Sequence, residues 1–247
     1  NPSDDILVGE IDGNKIAFLP RHGRKHTLSP SEINYRANID AFKQVGVTEL
    51  ISLSAVGSLK DNLPPGTFVL IEQFVDKTYL RKKTFFENGV VAHVSMAEPT
   101  CKQMNRIVKD SGNLCSVELV GNGIYVVIEG PQFSCKIESE IYRTWGCNVI
   151  GMTNMPEAKL AREAEICYST VGMVTDYDCW HPSHESVTVE VIIEQMKKNV
   201  INAKKIISKI ASVHATTVEK LKRCSCKSAL DYAIVTKKED INSSTLA

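Results

Sequence analysis

Thr175-Asp176-Tyr177-Asp178 sets two carboxylates one residue apart at the end of the apolar, β-branched run that begins at Cys167. Alternate side chains of an extended segment share a face, so Asp176 and Asp178 form one acceptor or acid pair. Such a pair suits a flat heterocycle that gains a proton on a ring nitrogen and donates from a neighbouring amino group. A helix cap or a solvated acidic turn is the other reading of the same residues. The run that carries them has the composition of an interior strand of a parallel sheet. Open α/β sheets bind ligands in the crevice beyond the carboxyl ends of such strands.

Four other segments end in polar or stacking groups in the same way. Pro20-Arg21-His22-Gly23-Arg24-Lys25-His26 packs cations and imidazoles together after a strand, which suits an oxyanion site through the planar fork of Arg, or else a solvated basic loop. Ser54-Ala55-Val56-Gly57 reads as a turn after a strand, with a hydroxyl and a glycine that lets backbone amides approach a ligand, or as a turn alone. In Glu129-Gly130-Pro131-Gln132-Phe133 the ring of Phe133 is placed to lie against an aromatic base or to fill core. Gly151-Met152-Thr153-Asn154 adds a flexible apolar side chain beside a hydroxyl donor. Five such strand ends together point to one pocket that holds an anion at one end and a flat base at the other.

The elements that must position them alternate as βα units. Ile6 to Ile11 and Lys15 to Leu19 predict a hairpin through Asp12-Gly13-Asn14. Helices are expected near Ser31 to Val45, Ala97 to Val108, Ser134 to Trp145 and Pro156 to Glu165. Strands are expected at Leu50 to Leu53, Thr67 to Ile71, Ile124 to Ile128 and Asn148 to Met152. Apolar residues from Val189 to Ala211 recur at mostly three- and four-residue spacing and predict a long helix from about Thr188 to Val213, most of whose stripe is core. The fold class is α/β, a single domain with a central mixed sheet flanked by helices. It occupies residues 1–235, with a frayed tail over 236–247.

Lys plus Arg and Asp plus Glu each number 29, so the formal charge is zero and no basic field draws nucleic acid or an anionic membrane. No apolar run reaches the length of a membrane span, and a cytoplasmic protein is expected. Eight cysteines lie mostly in apolar segments without the paired CxxC spacing of a zinc site. Most read as small core residues, and Cys224-Ser225-Cys226 reads as an incidental thiol pair. No dinucleotide fingerprint is present.

In order along the chain, Arg21-His22-Gly23, Asn34-Tyr35-Arg36-Ala37-Asn38, Ser54-Ala55-Val56-Gly57-Ser58-Leu59, Met96-Ala97-Glu98-Pro99, Glu129-Gly130-Pro131, Met152-Thr153 and Thr175-Asp176-Tyr177-Asp178-Cys179-Trp180 resemble the nucleoside phosphorylase family. The resemblance is to its trimeric branch acting on S-methyl-5'-thioadenosine, and it spans Pro2 to about Ala211. It implies that Arg21, His22, Ser54, Ala55 and Thr153 surround phosphate and that Met152 lies against the ribose. It implies further that Phe133 packs on adenine while Asp176 and Asp178, with Thr175 nearby, engage N7 and the 6-amino group as the catalytic pair. Val189, Ile192 and Ile193 would form an apolar slot for the methylthio group, and His93 would reach in from a neighbouring subunit of a homo-oligomer, a trimer or dimer of trimers. The implied reaction is phosphorolysis with inorganic phosphate as co-substrate, without metal or organic cofactor. Family members open with a strand and a Gly-rich phosphate loop before the point matching Asn1, so a fragment or an unseen leading segment is expected. Gln132 stands where the family usually has Arg. A purine nucleoside phosphorylase of different base preference and a truncated, non-catalytic nucleoside-binding subunit remain as alternatives.

Overall fold

Asp12 and Gly13 both take positive φ, 49° and 78°, the two-residue turn whose twist matches that of paired strands. They join β1 (Leu7–Ile11) to β2 (Asn14–Phe18) in the expected hairpin, with Ile11 opposite Asn14. The structure, a computed structural model, describes residues 1–182 and 188–242. Five further strands follow: β3 (Glu49–Ser58), β4 (Phe68–Asp76), β5 (Leu119–Val127), β6 (Val149–Gly151) and β7 (Cys167–Asp176). They close on themselves in the order β3-β6-β5-β4-β7. Pairing is parallel for β3 with β7, β4 with β5 and β5 with β6, and antiparallel where β6 meets β3 at Gly57 and Ser58 and where β4 meets β7 over Phe68–Leu70. The sheet is therefore mixed, as expected, but it is a barrel and not the open sheet inferred from β7 alone.

Closure has a local cause. The β4–β5 register shifts on both sides of Ile71, opposite Gly123, and such irregularities bend and twist a strand. A Cβ on Gly123 would lie 2.7 Å from Val69 Cγ1 and 2.9 Å from Leu70 O, so the close approach at this bend excludes any larger residue.

Several boundaries differ from the sequence expectation for one reason. β3 runs on through Ser54–Ser58, the stretch read as a turn, because Ser52, Ser54, Val56 and Ser58 alternate inward and are buried. Small polar residues signal a turn in a sequence, but here they face a polar barrel interior. The helices are α1 (Tyr35–Gln44), α2 (Lys102–Leu114), α3 (Lys136–Thr144), α4 (Asn154–Glu163) and α5 (Val189–Lys222). Asn34 Oδ1 accepts from Ala37 N–H at 3.1 Å and caps α1, which buries Tyr35, Asn38, Ile39 and Phe42 along one face. α2 starts later than predicted, at a cap formed by the Cys101 sulfur accepting from Met104 N–H. α5 continues nine residues past Val213, since no glycine or proline interrupts it. The hairpin docks on α5 through Asn14 Nδ2, which donates to Ala211 O at 2.9 Å.

One apolar cluster packs α1 and α4 on the barrel through Ile39, Leu160, Ile71 and Tyr168. A second joins α2 and α5 to β4 and β7 through Met104, Val108, Ile206 and Val171. Of the expected tail, Lys238–Asp240 form a 3-10 turn and Thr236 Oγ1 accepts from Val91 N–H at 2.8 Å, while 243–247 lie outside the described residues. No helix among the described residues is long and apolar enough to cross a membrane.

Ile71 is fully buried at the bend of β4. Ile71→Ala is expected to cost about 2–5 kcal/mol through lost transfer energy and a cavity. Urea denaturation checks this: the midpoint should fall while the slope with denaturant stays that of the parent chain.

Candidate active site

Strand ends and the loop after β2 converge on a cavity of about 1710 Å³, bounded on its far side by α5. Arg21, His22, Ser54, Ala55, Phe133, Met152, Thr153, Thr175, Asp176, Asp178 and Ile192 all line it. The five segments chosen from the sequence thus meet in one place. Val189, Ile193 and His93 are not in its wall: Val189 and Ile193 are 57% and 50% exposed on the first turns of α5, and His93 is exposed with its N–H donated to Ala233 O at 2.8 Å.

At one end of the cavity three side chains form a hydroxyl and guanidinium cluster. Arg21 Nη1 donates to Thr153 Oγ1 at 3.2 Å, and Thr153 Oγ1 lies 3.2 Å from Ser54 Oγ. Tyr125 OH sits 3.2 Å from Ser54 Oγ on the barrel side. Arg21 is not a bare cation, because its Nε and Nη2 meet the two oxygens of Glu157 at 2.9 and 3.0 Å. The bidentate geometry fixes the fork and leaves Nη1 toward the hydroxyls. His22 Nδ1 lies 2.8 Å from Leu28 O. A carbonyl only accepts, so this nitrogen carries the proton. Burial, assisted by the neighbouring His26 and Arg21, pushes the imidazole below its ordinary value despite the Leu28 bond. In the neutral form of the ring Nε2 is the acceptor, and His22 lines the cavity.

The other end holds the carboxylates. Asp176 Oδ2 accepts from Thr175 Oγ1 at 2.6 Å and its Oδ1 from Asp178 N–H at 2.8 Å. Gly57 makes room: a Cβ there would stand 3.0 Å from Asp176 Oδ1 and 3.3 Å from Asp178 Cβ. Asp178 takes φ 53° and is 6% exposed, and its Oδ2 is buried with no hydrogen-bond partner among the described residues. Burial raises both carboxyls above the ordinary value, and the charge of Asp176 adds to the effect on Asp178. Burial thus shifts both carboxyls toward the protonated form, and Asp178 Oδ2 is left with no partner among the described residues.

Between the two ends the wall is apolar. Phe133, which is 47% exposed, and Met152 both line it, and Ile192 and Met196 line it from α5. Met196 belongs to the stripe assigned to core, and the spacing of that stripe cannot separate a residue facing a cavity from one facing a neighbour. Sequence reasoning also misses Arg81. It sits in Arg81-Lys82-Lys83, which has the look of a solvated basic run, yet its side chain is 1% exposed and pairs with Glu129 at 3.3 Å. Its Nη1 donates to Met152 O and Met155 O, both at 2.6 Å, and to Tyr35 OH at 3.2 Å.

The carboxyl pair gives a signed pH dependence. A carboxyl raised in the folded state keeps a proton that the unfolded chain releases. Its contribution to stability therefore falls as pH rises from its ordinary value of 3.8 through the raised folded value, and stays low above it. Asp178→Asn removes that loss, so the melting temperature of the variant minus that of the parent should increase from pH 3.5 to pH 7. Thermal unfolding across that range checks it, and a flat or falling difference would show that burial does not raise the Asp178 carboxyl.

The phosphorylase superfamily model matches residues 1–212. An S-methyl-5'-thioadenosine phosphorylase of Koribacter versatilis is 50% identical over 244 residues, covering 99% of this chain and 82% of the relative. One from Rhodospirillum rubrum is 56% identical over 205 residues, 83% of this chain and 70% of the relative. Among solved structures, a methylthioadenosine phosphorylase from an antarctic soil metagenomic library superposes with a TM-score of 0.92 at 44% identity, over 99% of this chain and 85% of that one. A mutant of the adenosine/methylthioadenosine phosphorylase of Schistosoma mansoni, solved in complex with methylthioadenosine, gives 0.84 at 34% identity, over 93% and 87%. The chain belongs to the phosphorylase superfamily, and within it to the S-methyl-5'-thioadenosine phosphorylase family.

Proposed function

We propose that this chain catalyses the phosphorolysis of S-methyl-5'-thioadenosine to adenine and 5-methylthioribose 1-phosphate. The observation that carries the reading is one cavity with an Arg21–Thr153–Ser54 cluster at one end and the buried Asp176–Asp178 pair at the other.

Phosphate binds at Arg21, Thr153, Ser54 and the Ala55 backbone, with His22 beside it. Since Glu157 already balances Arg21, the anion is held by directed hydrogen bonds more than by net charge. An incoming phosphate favours the imidazolium form of His22, which adds an Nε2–H donor. Bound phosphate then attacks C1' as the bond to N9 breaks, and the departing electron pair goes to the purine. Fixing the nucleophile against the ribose, with Met152 below the sugar and Phe133 on the base, supplies orientation. Asp176, whose carboxyl burial raises above its ordinary value despite the bonds from Thr175 and the Asp178 N–H, donates to N7 as charge develops there. Asp178 Oδ2, buried without a donor, accepts from the 6-amino group, which favours a 6-aminopurine over a 6-oxopurine.

The 5' end of the nucleoside falls toward Ile192 and Met196, with Val189 and Ile193 flanking from the exposed side of α5. An apolar slot of this kind discriminates against a 5'-hydroxyl by about 1–3 kcal/mol. His93, outside its own chain's cavity, serves the site of a neighbouring subunit in a homo-oligomer, a trimer. The reaction belongs to cytoplasmic purine and methionine salvage, and its proposed steps use side chains and phosphate alone.

Adenine release from methylthioadenosine, measured with and without phosphate, is the test. Phosphate-dependent release is expected, and Asp176→Asn should lower kcat by about 10²–10⁴-fold, the usual contribution of a positioned acid. Turnover near that of the parent in Asp176→Asn would remove the acid role, and no release by the parent chain would leave a nucleoside-binding subunit.

A further inference from the structure

Four of the cysteines that the sequence scatters along the chain are brought into one buried knot. Cys101, Cys167, Cys224 and Cys226 are 2%, 0%, 8% and 3% exposed, and their sulfurs all lie within 4.8 Å of one another, with Cys101 and Cys224 at 3.4 Å. They come from three places: the cap of α2, the first residue of β7, and the segment after α5. The knot is remote from the active site, since Asp176 ends the ten-residue strand that Cys167 begins, a span of about 30 Å at the rise of a strand.

We propose that these four thiolates bind one zinc ion, as a structural clasp that the phosphorylase reaction does not use. A tetrahedral ion with Zn–S near 2.3 Å sets its ligand sulfurs about 3.8 Å apart, inside the range this cluster already occupies. The ligand set is the soft, closed one that suits zinc and leaves no open position for catalysis. Two features outside the sulfurs agree with ligation. Cys101 Sγ accepts from Met104 N–H at 3.4 Å, an amide-to-sulfur bond of the kind that orients a thiolate and spreads its charge. Arg162 Nε is shielded from solvent with no hydrogen-bond partner among the described residues, and its charge acts on Cys226. A divalent ion with four thiolates carries a net charge of −2, and a neighbouring guanidinium offsets part of it. Binding is not a redox step: the ion replaces the four thiol protons, which pass to solvent, and no electron is transferred.

The absence of CxxC spacing does not argue against this site. The Cys224-Ser225-Cys226 pair supplies two ligands across one turn, and Cys101 N–H donating to Tyr168 O at 2.7 Å places the other two side by side. The clasp would fasten the segment after α5 to the far end of the strand that carries the carboxyl pair.

The test is metal analysis of the full chain, purified under reducing conditions without chelator from zinc-supplemented cells. About one zinc per chain is expected, falling below about 0.2 in Cys226→Ser and in Cys101→Ser and unchanged in Cys115→Ser, as a four-cysteine site requires. Because the serine variants can fail to fold, the parent chain is also exchanged with cobalt(II), which should show thiolate-to-metal charge-transfer and tetrahedral ligand-field bands. Less than about 0.1 metal per folded parent chain, whether the four thiols then titrate free or two form a disulfide, would overturn the proposal. Zinc retained in a folded Cys226→Ser variant, or a cobalt spectrum without thiolate bands, would overturn it equally.

Discussion

Burial of Arg81 against Glu129 is the constraint from which the geometry of the cavity follows. A guanidinium 1% exposed and a carboxylate 7% exposed are each costly to desolvate, and the pair persists only if nearly every donor and acceptor is used. Here they are. Arg81 serves Glu129, Tyr35 OH and the carbonyls of Met152 and Met155, while Glu129 also accepts from Ser31 Oγ and the amides of Tyr79 and Leu80. These bonds outweigh burial, which acts in the opposite direction, and hold the Glu129 carboxyl below its ordinary value. The consequence is positional. The exit of β5, which leads to Phe133, and the exit of β6, which carries Met152 and Thr153, are tied to one rigid planar group and to the start of α1. A lysine could not replace it, because one ammonium cannot span these acceptors in fixed directions.

The two ends of the cavity are built on opposite electrostatic principles. At the Arg21 end, charge is balanced in advance by Glu157, and Tyr168 OH and Asn154 Nδ2 hold that carboxylate in turn. An anion arriving there meets oriented donors with little reorganisation left to do. At the Asp176 end, burial outweighs the bonds from Thr175 Oγ1 and the Asp178 N–H and raises both carboxyls above their ordinary value. The unsatisfied Asp178 Oδ2 costs stability in the ligand-free chain, and a bound amino group recovers it. Strain at one end and neutrality at the other suit a reaction in which the nucleophile is already an anion and the leaving group becomes one.

Much of this is legible in the chain itself, and the reason differs by element. The hairpin is readable because Asp12-Gly13 is a turn with a mechanism, and β7 because an apolar β-branched run ending in Thr-Asp-Tyr-Asp has few other uses. The five strand ends are found one by one, since a polar group directly after a strand is a local signal. What is not legible is whatever depends on distant partners. Arg81 sits among lysines and differs from them only through Glu129, Met152 and Met155, which are remote in sequence. β3 reads too short because its serines face a polar interior formed by Tyr125, Asn154 and Tyr168. Barrel closure is hidden because it rests on a register shift between two strands, visible in neither alone.

That polar interior links the site to the fold. Ser52 accepts from both Arg21 Nη2 and Asn154 Nδ2, and Asn154 reaches Thr170 Oγ1 at 3.0 Å on β7. Thr170 Oγ1 in turn donates to Ser52 O at 3.1 Å, closing a ring of hydrogen bonds between β3, β7 and the start of α4. Asn154 Oδ1 itself has no partner among the described residues, but the donors of the network still specify register: a one-residue slip of β3 against β7 would turn Ser52 and Ser54 outward and leave Arg21 Nη2 and Asn154 Nδ2 without their acceptor. The register then shifts by one residue between Val56 and Gly57, and this irregularity sets Gly57 against Asp176, where the missing side chain leaves the carboxyl room. Hydrogen bonding inside the barrel thus aligns β3 and β7 at the hydroxyl cluster, and the shift after Val56 places the carboxyl pair beyond it.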